Sequence, residues 1–451
     1  MTNDISFSFA AEEIVAPGTD LVIHIARPFH KQAAQAVITL QRGGTTIPTS
    51  VSVSGDDGTV KLSTEGLSTG RYYLAKDTTV GKIFFDDSSS VPDLANSEAI
   101  AYAPGAQALG FTGRGVHVAV FEAGPADLTN LSFAGRYQPN PVVGDPHSRL
   151  TSAIIKNVEP SKPHGYAPDC DLYSANTFGN DALLWAVASP HHGDRELPEL
   201  AANGTGVTAV GVTMWGTSFA APAVAGTAAL IQSANATLKS WPEGCRAILL
   251  ASADRSISGG TWGQDLVARK DASDGAGALN AQNAVLIAQS QSARNNSPAL
   301  VRGWNVGSLV PADFDATTRL STFRYKVQVP SSPLTLLRYT VKVALAWDSK
   351  VTLNAAGTAT ASTLTNDLDL AVYNQNGVQV AASSSNDNSY EIVEFEGVKG
   401  AVYDVAIRSW TWPWPAGITF LWYGVSWNVV GKLPQLSTPV SFPPAGLHEE
   451  L

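Results

Sequence analysis

Residues 215–226 read WGTSFAAPAVAG: a tryptophan, a small-residue turn, a serine, and then a run built almost wholly of Ala, Val and Gly around one proline. A Gly216-Thr217 turn entering such a run puts Ser218 at a helix N-terminus, where backbone N–H groups without intrahelical partners and the helix dipole favour negative charge. Small side chains as far as Ala229 let that helix pass through the middle of a packed core. For an isolated Gly-Thr-Ser the plain reading is an N-cap serine. The other is a nucleophile whose attack creates an oxyanion, because the serine's own N–H can donate to that oxygen.

Outward from this run the chain alternates strands and helices: a strand at 116–121, a helix at 147–155, a strand at 171–175 and a helix at 181–187. The helix opening near Ser218 and another at 242–253 follow, an order that suits a parallel sheet covered on both faces. Before it, residues 1–90 hold short alternating runs such as ISFSFA, LVIHIA and RYYLAK split by turns such as Asp57-Gly58, which predicts a β-sandwich of immunoglobulin-like size. The polar stretch SSSVPDLAN at 88–96 marks a boundary to the middle domain at 95–300. Alternation returns over 303–432 in YTVKVALAW, YEIVEF and ITFLWYGVSW, predicting a second β-sandwich, with a loose tail at 433–451.

A chain of 451 residues holds about three domains at roughly 150 residues each. With 44% hydrophobic and 15% charged residues, 39 Gly and 26 Pro, the composition is that of a folded, strand-rich protein. The net charge of −10 and the lack of a Lys/Arg cluster argue against nucleic acid or an anionic membrane surface as a partner. Cys170 and Cys245 lack the spacing of a redox or zinc motif, and read as buried apolar residues or a single pair. The start MTNDISFSFAAEE has neither the basic nor the apolar segment of a secretory signal, so the expectation is a cytoplasmic protein or one exported by a non-classical route.

Together with its flanks, GTSFAAPAVAG resembles the nucleophile motif of the subtilisin-like (S8) serine proteases, Pro222 and the small-residue helix included. That family orders its triad acid, histidine, serine along the chain, so the partners are expected upstream. FTGRGVHVAVFEAGP at 111–125 resembles the family's first catalytic strand, entered by Gly113 and Gly115 and left at Gly124. The acid position is then Glu122 where the family usually has aspartate, a carboxylate one methylene longer that still orients an imidazole; Asp127 is the fallback acid. HSRLTSAIIKN from His147 resembles the histidine motif, with Ser148, Arg149 and Leu150 in place of the usual Gly, Thr and His. GYAPDCDLYSA at 165–175 and DGAGALNAQNAV at 274–285 resemble the family's next turn and strand and its closing helix.

The resemblance implies an α/β subtilisin-like core with a mainly parallel sheet, flanked by N-terminal and C-terminal β-sandwiches. It also implies a serine endopeptidase acting on protein or peptide substrates without a required cofactor. Ser218 would attack, His147 would shuttle the proton, Glu122 would orient His147, and the Ser218 backbone N–H would serve the oxyanion hole.

His147 and Ser218 are only 71 positions apart, roughly half the interval in the subtilisin triad. Family order puts the substrate-pairing strand, the pocket walls and the oxyanion asparagine in that interval, where this chain has only ASPHHGDRE at 188–196. Neither Asn180 nor Asn203 has a matching context, so no oxyanion side chain is assigned. Loss of one such donor typically costs about a hundred- to a thousandfold in turnover. The alternative is therefore a catalytically impaired or internally truncated relative that acts as a binding or scaffolding protein. His191 and His192 read as solvated loop residues, since adjacent side chains diverge.

In the last domain, LAWDSK with Asp348 and NDLDLAVYNQNG with Asp367 and Asp369 resemble the β-sandwich appended to some subtilisin-like proteases. Alternation with Leu368 and Leu370 puts Asp367 and Asp369 on one strand face. There they form either a polar outer surface or, with Asp348 and Asn386 or Asp387, a structural calcium site. RSWTWPWPAG at 408–417 reads as a sticky surface for glycans or partners, or as a packed hairpin end.

Overall fold

The computed structural model describes residues 94–175, 199–254 and 275–432, apart from 123, 138–143, 335, 356–358, 365 and 387, together with the backbone of eight strands between residues 7 and 86. The chain divides into two units, one holding those eight strands and the other holding the described residues from 94 onward. In the first unit the strands are β1 (Phe7–Ala11), β2 (Leu21–Ile25), β3 (Ile38–Arg42), β4 (Thr45–Ile47), β5 (Val51–Ser54), β6 (Thr59–Leu62), β7 (Tyr72–Lys76) and β8 (Ile83–Asp86). They form two four-stranded sheets of order β1-β7-β3-β4 and β5-β6-β2-β8, every pairing antiparallel. The expected Asp57-Gly58 turn, the helix at 181–187, Asn180, His191, His192 and the tail at 433–451 lie outside the described residues.

The second unit opens with α1 (Leu94–Ile100) and α2 (Ala103–Ala108), followed by β9 (His117–Phe121), β10 (Gly135–Tyr137), α3 (Pro146–Ile155) and β11 (Asp171–Ala175). The three strands form a small parallel sheet of order β10-β11-β9, in register at Asp171↔His117 and Gly135↔Tyr173. A hairpin of β12 (Val207–Ala209) and β13 (Val212–Met214) then leads into α4 (Thr217–Ala234). Next come α5 (Pro242–Ser252) and α6 (Ala281–Ala288).

Local chemistry accounts for these boundaries. Asp145 accepts the backbone N–H of His147 at 3.0 Å, and Pro146 occupies the first turn, so α3 starts where the cap and the fixed proline φ dictate. Its Leu150, Ala153 and Ile154 are buried and form its apolar face. Asn280 caps α6 through the N–H of Asn283 at 2.8 Å. The small residues of α4 are needed for close approach: a Cβ on Gly226 would stand 2.5 Å from Tyr166 Cβ. Tyr166 is fully buried and donates from its hydroxyl to Ser97 O at 2.6 Å. Among the described residues no helix is long and apolar enough to cross a membrane.

The C-terminal strands are β14 (Arg302–Leu309), β15 (Tyr325–Gln328), β16 (Arg338–Trp347), β17 (Ser349–Leu353), β18 (Ala359–Leu364), β19 (Leu368–Tyr373), β20 (Gln379–Ser383), β21 (Tyr390–Gly397), β22 (Val402–Ser409) and β23 (Leu421–Lys432). They make two antiparallel four-stranded sheets, β14-β23-β16-β21 and β15-β22-β19-β20, and a β17-β18 pair. Val341, Val343 and Leu345 of β16 join Leu370, Val405 and Ile407 of the other sheet in one apolar cluster.

The alternate residues of β16 point to the opposite layer. Ala344 and Ala346 join Tyr390, Ile392 and Trp304 in a cluster with Ile248 of α5 and Ile287 of α6. β16 is thus covered on both faces, which explains why YTVKVALAW is almost continuously apolar. Polar ties cross the same junction: Trp304 Nε1 donates to Ala288 O at 2.9 Å, and Arg246 of α5 bonds Ser389 Oγ at 2.9 Å and grips Glu199 through two nitrogens.

Candidate active site

β9 ends at Phe121 and delivers Glu122 at the C-terminal edge of the parallel sheet, where open α/β sheets present functional groups. His147 sits in the first turn of α3, its backbone fixed by the Asp145 cap. The two side chains meet: His147 Nδ1 and Glu122 Oε2 are 2.9 Å apart, with side-chain exposures of 39% and 23%. A carboxylate on Nδ1 holds one tautomer and directs Nε2 away from itself. The extra methylene of glutamate is accommodated.

Ser218 is the second residue of α4 and is exposed. Gly216 precedes the helix with φ 144, a conformation that L side chains rarely adopt. Its N–H donates to Gly204 O at 2.8 Å, and a Cβ on Gly204 would lie 2.2 Å from Gly216 O, so position 204 fits against the serine turn only as glycine. Pro222 has no N–H to give the Ser218 carbonyl one turn back, which frees the first turn from the regular ladder. Phe219, next to Ser218 and buried, packs its ring against that of His147 with centroids 5.0 Å apart. The start of α4 therefore adjoins the Glu122–His147 pair.

Asp127, the fallback acid, lies elsewhere in the network: Arg149 Nη1 is 3.2 Å from its Oδ2, and Thr129 N–H donates to its Oδ1 at 2.8 Å. The Thr129 hydrogen bonds, with Arg149 adding to them, hold the Asp127 carboxyl below its usual range. Asn203 uses its side-chain oxygen to accept Thr205 N–H at 3.0 Å, closing its own turn. Two contributors were not picked out from the sequence: Phe219, hidden in an apolar run, and Arg149, which there looks only like a departure from a motif.

Glu122, Asp145 and His147 each offer one ligand atom, all within 4.8 Å of one another, so this is the group among the described residues with the donor set for a metal ion. Asp348, Asp367 and Asp369 do not form such a group. The reason is topological: Asp348 follows β16 in one sheet and stands beside Glu243, while Asp369 is on β19 in the other sheet, opposite Arg408. Asp369 is also buried, as is nearly all of β19, so the expected polar outer face is absent there.

Cys170 and Cys245 are free and buried, and burial pushes both thiols up to about 11. In the tryptophan-rich loop, Trp412 and Trp414 pack partly against the sandwich core, and Trp410 stays exposed with the Arg319 guanidinium 6.0 Å from its ring centre.

No curated protein matches the chain. Among solved structures it is similar to the pre-peptidase C-terminal domain of collagenase from Bacillus anthracis, at 14% identity and a TM-score of 0.18, covering 30% of this chain and 100% of that one. The family comparison falls on the middle of the chain, over a segment that contains His147 and Ser218 and begins after Glu122. Residues 145–284 match the model of the subtilase family, Peptidase S8, so that segment is similar to subtilases.

Proposed function

We propose that the chain is a subtilisin-like serine endopeptidase with a Ser218/His147/Glu122 triad acting on protein or peptide substrates. The 2.9 Å contact between His147 Nδ1 and Glu122 Oε2, made beside the helix terminus that bears Ser218, carries this reading. In it His147 Nε2 takes the Ser218 hydroxyl proton as Oγ bonds to the peptide carbonyl carbon. The carbonyl oxygen becomes the oxyanion, facing the Ser218 N–H and the positive end of α4. Collapse breaks the C–N bond, and the proton passes from His147 to the leaving amine. Water then hydrolyses the acyl-enzyme, with His147 again as base. Glu122 keeps the imidazole oriented and stabilises its charged form.

A fluorophosphonate probe tests the proposal. Covalent labelling that vanishes in Ser218→Ala and falls steeply in Glu122→Gln supports it. A folded protein that the probe does not label overturns it and favours a relative that binds without cutting.

A further inference from the structure

Arg149 lies two residues past His147 on α3 and touches both flanks of the site. Its Nε donates to Val210 O at 3.1 Å, Nη1 to Asp127 O at 2.9 Å and Nη2 to Thr129 O at 2.7 Å, with the side chain 12% exposed. Asp127 and Thr129 belong to the segment that leaves Glu122. Val210 is in the turn of the β12–β13 hairpin, which runs directly into Gly216 and Ser218. One guanidinium therefore spans the acid segment, the histidine helix and the serine hairpin.

The Val210 turn is itself uncommon. Val210 and Gly211 have φ of 48 and 77, the left-handed pair of a hairpin turn that favours Asn-Gly and penalises a β-branched residue. Its backbone is held from two directions: Arg149 binds the carbonyl, and Glu159 Oε2 accepts the N–H at 3.0 Å. Both side chains come from α3 or the segment just after it. Strain of this kind persists where the surroundings over-determine it, and it concentrates at functional sites.

We infer, resting on the peptidase reading above, that Arg149 is a positioning residue that sets the register between the Glu122–His147 pair and the hairpin delivering Ser218. A planar fork holds three carbonyls at fixed angles, which the point charge of a lysine does not reproduce. Loss of the fork shifts Ser218 relative to His147 without altering either residue, and a misplacement of about 1 Å costs on the order of a hundredfold in rate.

The test compares full-length wild type, Arg149→Gln, Arg149→Lys and Glu159→Gln by the rate constant for Ser218 labelling by a fluorophosphonate across pH, with circular dichroism reporting the fold. Arg149→Gln is expected to label about a hundredfold more slowly at every pH with its fold kept. Arg149→Lys should recover only a minor part of the rate, and Glu159→Gln should slow labelling. Wild-type labelling in Arg149→Gln, or full recovery in Arg149→Lys, overturns the inference. If Arg149→Gln does not fold, Arg149→Lys is read by the same criteria: slowed labelling supports the inference and wild-type labelling overturns it. If wild type is not labelled, the peptidase reading fails and the inference falls with it.

Discussion

Replacing Lys342 with methionine is expected to cost about 3–5 kcal/mol of stability, a large share of the roughly 5–15 kcal/mol typical of a folded domain. Lys342 is on the face of β16 that meets the helical layer. Its Nζ donates to Ala276 O at 2.9 Å and Ala253 O at 2.5 Å, and lies 3.2 Å from Glu394 Oε2, with side-chain exposures of 6% and 15%. Methionine removes the charge-assisted bonds to the two carbonyls and leaves the Glu394 carboxylate half-paired away from water. The strands β16 and β21 supply their own control in Arg338–Glu396, 3.0 Å apart but 65% and 64% exposed, where Arg338→Met should cost at most about 1 kcal/mol. Urea unfolding of wild type, both single variants and Lys342→Met/Glu394→Met measures the difference. The double variant should recover only the share owed to the Glu394 charge, because both variants leave the Ala253 and Ala276 carbonyls without their donor. A Lys342→Met loss no larger than that of Arg338→Met, or a double variant no better than the single, would refute the reasoning.

Two further outcomes are expected. Burial, with the neighbouring Asp348 adding to it, pushes the Glu243 carboxyl from 4.5 up to about 7. The folded state therefore holds its proton more tightly than the unfolded state. Its stabilisation is complete below pH 4.5 and is lost as pH rises to about 7, by at most about 3 kcal/mol; Glu243→Gln should flatten that slope in unfolding measured from pH 4 to 8. Gly204→Ala drives a Cβ to 2.2 Å from Gly216 O, so the serine turn must move. Labelling of Ser218 should fall about a hundredfold while circular dichroism keeps its wild-type shape, and an unchanged rate would show that the 203–206 loop does not brace the turn.

The elements nearest the site were legible because their determinants are local. The small-residue turn announces the start of α4. Glu122 and His147 were singled out by the resemblance of their flanks to subtilisin-like motifs, and their side chains lie 2.9 Å apart. What could not be read depends on distant partners. Arg149 bonds carbonyls 22 and 61 residues away, and nothing beside it in sequence marks that reach. Asp369 looked outward by alternation, because the pattern does not say that β19 lies between β22 and β20 with Arg408 opposite. The composition of α5 likewise gives no sign that its apolar face meets a β-sheet rather than other helices.

The double-sided burial of β16 bears on how this protein can be inherited and recombined. A crossover near residue 300 looks permissible from the change in sequence texture, yet it would give one descendant a helical layer with Ile248 and Ile287 facing water, and the other a sheet with Ala344, Ala346 and Trp304 bare. Each would carry an exposed apolar patch of the kind that drives aggregation. Lineages that keep one half must therefore keep the other or replace it with a surface of the same shape.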